Sequence, residues 1–254
     1  MRILIVRHAE PDYVHDSLTE KGKLEAALLG KRLSQIDAAA YYVSPLGRAQ
    51  ETASYTLNLV GKTAVTLPWL AEFRGYTIDS SGEKRIPWDY HTEEWVDHRQ
   101  LMEKDFWTDD VLMSGGNVKQ IWEETKRGMD VLLHTHGYDR KGGVYLCENN
   151  TDETIILFCH YAIGTAILAY LINLPPVPLW QGFLCLPTAV TTVVTQERRK
   201  GEADFRCVSL GDVSHLLQGK ETPSLAGLFP ECYNGIDSTN PWEWPRQSKY
   251  PIIR

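Results

Sequence analysis

The 254-residue chain carries 26 Lys and Arg against 33 Asp and Glu, a net charge of −7, with 43% hydrophobic and 23% charged residues. Such a length buries a sizeable core as one domain, and the acidic balance argues against general nucleic-acid binding while leaving room for a small anion held by convergent arginines. Cys147, Cys159, Cys185, Cys207 and Cys232 are too sparse for a disulfide scaffold and form no C-x-x-C pair, so reduced thiols and a cytoplasmic location are expected.

The chain opens with a buried strand over Arg2 to Val6 that stops abruptly at Arg7-His8-Ala9-Glu10. An apolar run this short is no signal peptide. Leu18, Leu24, Leu28, Leu29 and Leu33 then recur near helical spacing, with Ser17 and Thr19 as capping groups. "AAYYVS" reads as a second strand, "PLGRAQETASYTLNLV" as a helix with Pro45 in its first turn, and "AVTL" as a third strand. From Phe73 to Gly116 the periodicity fails in a stretch holding Trp88, Trp95 and Trp107, which predicts an inserted cap over a site. "NVKQIWEETKRGMDVLLHTH" restores a helix and "ETIILFCH" supplies another core strand.

Ile155 to Leu174 is long and apolar, but His160, Gly164, Thr165 and Asn173 interrupt it. It reads as a strand followed by a buried helix rather than a membrane span. Two β-rich runs, "AVTTVVTQE" and "FRCVSLGD", and a Trp- and Pro-rich tail complete the chain. The repeated βα pattern predicts one α/β domain over residues 1–254. Its expected form is a three-layer sandwich with a mostly parallel central sheet, helices on both faces, and a cap at 73–116.

Open α/β sheets bind ligands outside the carboxyl ends of their strands. Two strands here end in histidine, at His8 and His160; a third leads into a helix carrying Arg48, and a fourth leads to Glu72. Arg7, His8, Arg48, Glu72 and His160 are therefore expected at one rim. Two guanidiniums match the oxygens of a phosphate, a neutral imidazole can attack phosphorus, and a carboxylic acid can protonate the departing oxygen. Such a set supplies the positioning and charge neutralisation of phosphoryl transfer without a metal or cofactor.

"LIVRHAE", "SPLGRAQETA", "LAEF" and "ILFCH", in this order, resemble the signature of the histidine phosphatase superfamily, which includes cofactor-dependent phosphoglycerate mutases. The similarity extends through "LTEKGKLEAALLGKRL" and "SGGNVKQIWEETKRGMDVLL" and covers most of the chain to about residue 175, weakly in the cap and tail. The resemblance implies that His8 becomes phosphohistidine and that Arg7 and Arg48 hold the phosphoryl group. His160 is implied as the second pocket histidine, charged or donating to the phosphoryl oxygens, and Glu72 as proton donor and then base. It implies a histidine acid phosphatase-like phosphomonoesterase acting on a small phosphorylated substrate, with phosphoglycerate mutase-type transfer as the alternative; no nucleic-acid or membrane partner is implied, and no oligomeric state. A non-catalytic phosphate-binding module is a third reading, disfavoured because binding alone does not need nucleophile and acid together.

The chain departs from the family in two places. Ala9-Glu10-Pro11-Asp12-Tyr13 replaces the usual Gly and later Asn, and Tyr161-Ala162 replaces the usual Gly after the second histidine. Arg74, Lys84 and Arg85 lie where the mutases carry basic residues that grip a phosphoglycerate, without a secure alignment. Asp12, Glu10 and Glu83 compete with Glu72 as the acid. A thiol-phosphatase reading of Cys159 fails because Thr165 stands where its arginine belongs, and "HAE" lacks the P-C-x-x-C half of a zinc deaminase. His91 and His98 fit no strong metal spacing. The tryptophans read as packing anchors, with Trp88, Tyr90 or Trp95 as possible stacking partners for a planar substrate.

Overall fold

The computed structural model describes residues 1–148 and 151–227; Cys232 and the Trp- and Pro-rich tail lie outside them. Eight strands form one sheet: Arg2–Arg7 (β1), Ala40–Val43 (β2), Val65–Thr66 (β3), Asp139–Lys141 (β4), Val144–Leu146 (β5), Thr154–Cys159 (β6), Val190–Arg199 (β7) and Glu202–Asp212 (β8). Their spatial order is β3-β2-β6-β1-β7-β8-β5-β4. The first four in that order run parallel, whereas β1–β7, β7–β8, β8–β5 and β5–β4 pair antiparallel. The sheet is thus mixed, not mostly parallel. The βα alternation that suggested parallel pairing holds for β1, β2 and β6 with the helices after them, while β4–β5 and β7–β8 are hairpins turning at Gly142 and Gly201, both with positive φ.

Helices Glu20–Leu33 (α1), Gly47–Val60 (α2), Val118–Thr135 (α3) and Tyr161–Leu171 (α4) flank the sheet. Alternation along β1 decides which core each residue joins. Ile3 and Ile5 pack with α3 and α4, and Leu4 and Val6 with α1 and α2. Apart from Tyr161, every residue of α4 is buried, which explains its all-round apolar sequence. No helix among the described residues is long and apolar enough to cross a membrane.

Local chemistry accounts for the helix starts and for three departures from the sequence expectation. Thr19 caps α1 by accepting from the Gly22 N–H, but the buried face runs through Gly22, Glu25, Ala26, Leu29, Gly30 and Leu33, leaving Leu24 exposed. Helix α2 starts at Gly47 after Leu46, so Pro45 precedes the helix instead of sitting in its first turn. The "AVTL" strand shrinks to the exposed two-residue edge β3. Between residues 73 and 116 the chain forms a two-rung hairpin and short helical turns, and Phe73, Tyr90, Leu101, Trp107 and Met113 from this stretch join the core on the α3–α4 side.

Candidate active site

Strand register assembles the rim. Arg7 pairs with Cys159, and Phe158 pairs with Val43, so three parallel strands end level. The residues that follow are His8, His160 and Ser44, locked by His8 N–H to the Cys159 carbonyl (3.0 Å) and Ser44 N–H to the Phe158 carbonyl (2.9 Å). Both imidazoles are buried, with ring centroids 5.0 Å apart at 60°.

The state of His8 follows from its contacts. Its Nδ1 lies 2.7 Å from the Ala9 carbonyl, which only accepts, so Nδ1 carries the proton of the neutral ring. The Nε2 lone pair then faces Arg48, whose Nε donates to it at 3.3 Å. Burial, reinforced by the Arg7 charge, holds the His8 pKa well below its ordinary value. The loop is fixed by Ala9 N–H to Thr52 Oγ (3.0 Å), whose hydroxyl donates to the Arg48 carbonyl (2.7 Å).

His160 Nε2 lies 2.7 Å from Ser44 Oγ, which also accepts from Leu46 N–H. Nδ1 is buried without a partner among the described residues. Burial and the two arginines push the His160 pKa down to about 3, which favours the neutral ring that donates over the charged one.

Each arginine is aimed by a different part of the chain. Arg7 donates from Nη1 to the Cys185 carbonyl (2.6 Å) and from Nη2 to the Ala226 carbonyl (2.8 Å), while its buried Nε has no partner among the described residues. Arg48 Nη1 pairs with Asp16 Oδ1 at 2.5 Å, and Asp16 Oδ2 accepts from Gly47 N–H at 2.6 Å. Only glycine at 47 permits this approach, because a Cβ there would lie 2.1 Å from the Asp16 carbonyl oxygen.

Glu72 Oε1 accepts from Phe73 N–H (2.8 Å) and from Ile163 N–H (3.0 Å) in the first turn of α4. Those donors favour the carboxylate, but burial dominates and raises its pKa above the ordinary value. Its competitors are elsewhere: Asp12 accepts from Val14 and His15, Glu10 accepts from the Thr19 hydroxyl, and Glu83 is exposed. Arg7, His8, Arg48 and Glu72 line one cavity of about 550 Å³, whereas His160 sits behind its wall against the His8 ring. Trp88 and Tyr90 line the cavity too; Trp95 packs against the core.

The other sequence candidates are engaged away from it. Arg85 grips Glu94 through two bonds (2.7 and 2.8 Å), Lys84 lies over the Tyr76 ring, and Arg74 is exposed. His98 Nδ1 meets Asp110 at 3.0 Å, and among the described residues no three His, Cys, Asp or Glu side chains are grouped to hold a metal. Asp16 lies in no motif, and Ser44 opens "SPLGRAQETA" without a role assigned to it from the sequence; a residue that positions another side chain has no spacing of its own to read.

A family model, histidine phosphatase superfamily (branch 1), matches residues 3–207. The chain belongs to that superfamily. A Schizosaccharomyces pombe protein named a probable phosphatase is 24% identical over 174 residues, covering 62% of this chain and 83% of the relative. The fold is shared with a phosphoserine phosphatase of Entamoeba histolytica (TM-score 0.54, 18% identity, 85% of this chain and 98% of that one). It is shared also with a mycobacterial glucosyl-3-phosphoglycerate phosphatase (TM-score 0.55, 16% identity, 83% and 98%).

This histidine phosphatase superfamily member also holds a buried carboxyl that links two parts of the site. Glu25 Oε2 accepts from Glu10 N–H (3.0 Å), just after His8, and Oε1 accepts from Ser224 N–H (2.7 Å), in the segment that brings the Ala226 carbonyl to Arg7. Burial outweighs both donors and raises its pKa from 4.5 to about 7. Between those values the folded chain binds more protons than the unfolded one, so stability falls as pH rises from about 4.5 to about 7. The loss attributable to Glu25 is about 3 kcal/mol. Urea-unfolding midpoints of the wild type should therefore decline relative to Glu25→Gln between pH 5 and 8; parallel curves would remove Glu25 as the cause.

Proposed function

We propose that the chain is a metal-independent phosphatase that hydrolyses a small phosphomonoester through phosphohistidine at His8. The observation that carries this reading is the His8 Nε2 lone pair, freed by the Nδ1 bond to the Ala9 carbonyl and opening on a cavity shared with Arg7, Arg48 and Glu72. In the first step Nε2 bonds to phosphorus as the ester P–O bond breaks, and Glu72 gives its proton to the leaving alkoxide. Arg48 Nε moves its hydrogen bond from Nε2 to a phosphoryl oxygen, and Arg7 Nε, without a partner among the described residues at rest, donates to another. Water then attacks the phosphohistidine, Glu72 takes its proton, and inorganic phosphate leaves with His8 neutral again. The segment 73–116, which contributes Trp88 and Tyr90 to the cavity, serves as the cap.

Hydrolysis is favoured over mutase transfer by charge. Among the described lining residues the cations are Arg7 and Arg48, both beside His8, and no further cation is there for the carboxylate of a phosphoglycerate. The test is ³²P-labelled phosphomonoester with alkaline quench: expected are release of inorganic phosphate and an alkali-stable, acid-labile phosphoenzyme. Interconversion of phosphoglycerates without phosphate release would mean a mutase. Bound phosphate without turnover would mean a binding module.

Gly227 gives a further check on Arg7. Its φ is +106°, and a Cβ there would lie 2.7 Å from Arg7 Nη2. Gly227→Ala should displace the guanidinium and weaken inhibition by inorganic phosphate on the order of tenfold, read as Ki. An unchanged Ki would mean that the Ala226–Gly227 segment does not set the position of Arg7.

A further inference from the structure

The cavity extends well past the space that a phosphate fills, and much of its wall is aromatic. Trp88, Tyr90, Tyr161, Trp180 and Phe183 line it together with the exposed Tyr13. Trp88 and Tyr90 are held in place before any ligand arrives. Trp88 rests on Phe73 and Trp180 at centroid distances of 6.3 and 6.0 Å, and Trp180 is fixed by Phe73, by Trp107 and by an Nε1 hydrogen bond to the Ala162 carbonyl (2.9 Å). The Tyr90 hydroxyl is held between Thr77 Oγ (2.6 Å) and the Leu112 carbonyl (3.0 Å), with the Arg85 guanidinium 4.1 Å from its ring centre. Rings already ordered in this way lose little entropy when a ligand ring packs on them.

The charges on the wall are equally selective. Arg7 and Arg48 are the cations among the described lining residues and both stand beside His8; the remaining charged groups are Glu72 and Asp89. Asp89 lines the cavity, whereas the nearby Arg85 guanidinium that feels its charge is gripped by Glu94 and does not line it, so a second anionic group on a ligand would meet like charge at the wall.

We infer that the substrate is a phosphomonoester whose alcohol carries a planar aromatic ring and no negative charge. This rests on the hydrolysis proposed above and adds the chemical class of the leaving group. The inference gives Trp88 and Tyr90 the part of ring platform and Asp89 that of a filter against carboxylates and second phosphates.

The test is a panel of primary-alkyl phosphates matched in leaving-group reactivity: 2-(1-naphthyl)ethyl phosphate, 2-cyclohexylethyl phosphate, 3-phosphoglycerate and phosphoserine, assayed with the full chain for phosphate release and for the alkali-stable phosphoenzyme. Expected is a kcat/KM about tenfold higher for the naphthyl than for the cyclohexyl ester, and on the order of 100-fold higher than for 3-phosphoglycerate. Trp88→Ala should collapse the naphthyl-to-cyclohexyl ratio towards one through KM, and Asp89→Asn should narrow the gap to 3-phosphoglycerate. The wild-type panel decides by itself should either variant fold poorly. Equal or better turnover of 3-phosphoglycerate or phosphoserine, with phosphoenzyme present, would overturn the ring inference and leave hydrolysis standing. No phosphate and no phosphoenzyme from any ester would overturn the hydrolytic reading itself, and this inference with it.

Discussion

His8→Ala is expected to lower kcat for phosphomonoester hydrolysis by on the order of 10⁴–10⁶-fold and to abolish the alkali-stable phosphoenzyme. The size of the effect comes from the absence, among the described residues, of a second available nucleophile at this position. Ser44 is engaged with His160 and Leu46, and the Cys159 thiol is buried with its pKa pushed far up. Arg7 and Arg48 keep their own supports in the Cys185 and Ala226 carbonyls and in Asp16, so inorganic phosphate should still bind within a fewfold of wild type. Binding retained while turnover is lost separates a missing nucleophile from a collapsed pocket. Turnover within tenfold of wild type would remove His8 from the mechanism.

Glu72→Gln is the second large effect. Loss of the proton donor should slow phosphoenzyme formation from alkyl phosphates by about 10²–10⁴-fold while sparing that step for p-nitrophenyl phosphate, whose leaving group needs no proton; with the base for water also lost, that ester should give a burst of nitrophenol and an accumulating phosphoenzyme. Glutamine is the informative replacement because its carbonyl oxygen can still accept from Phe73 and Ile163, keeping the start of α4 in place. The same residue sets an expected pH profile. Attack requires His8 above its pKa and Glu72 below its own. At ordinary values of 6.5 and 4.5 the two conditions conflict, since the histidine would still be charged where the carboxyl had already ionised. Burial moves the pair in opposite directions, His8 down and Glu72 up, and so eases the conflict between the two required protonation states. A bell-shaped kcat/KM follows, with the acid limb from His8 and the alkaline limb from Glu72. The alkaline limb should flatten in Glu72→Gln; an unchanged alkaline limb would place the acid elsewhere.

Much of this site could be read from the chain before any fold was known, because parallel register turns strand endings into a rim. An apolar run stopping at Arg7-His8 and another stopping at Cys159-His160 had to bring their polar ends level once the strands paired. The antiparallel half was harder to see. Strands of three residues such as Asp139–Lys141 show no period, and the turns at Gly142 and Gly201 look like any loop until their partners are known. Glu25 reads as one more charge on an amphipathic helix, and Leu24 as its buried neighbour, yet the structure exchanges them because α1 turns Glu25 towards two backbone donors. Backbone carbonyls such as Ala226, which aims Arg7, have no side-chain signature at all.

The position of β1 in the sheet has a consequence for biosynthesis. Of the described strands it is made first, yet it lies in the middle of the sheet, with Arg2 opposite Thr154 on one side and Val194 on the other. The Ile3–Val6 run therefore leaves the ribosome long before either neighbour exists, and the Ala226 carbonyl that completes the Arg7 position follows later still. Such sequence-distant pairing slows folding and leaves an apolar strand waiting for cover. A chain halted anywhere before residue 226 lacks part of the support for Arg7, so the complete site reports that translation has run nearly to the end of the described chain.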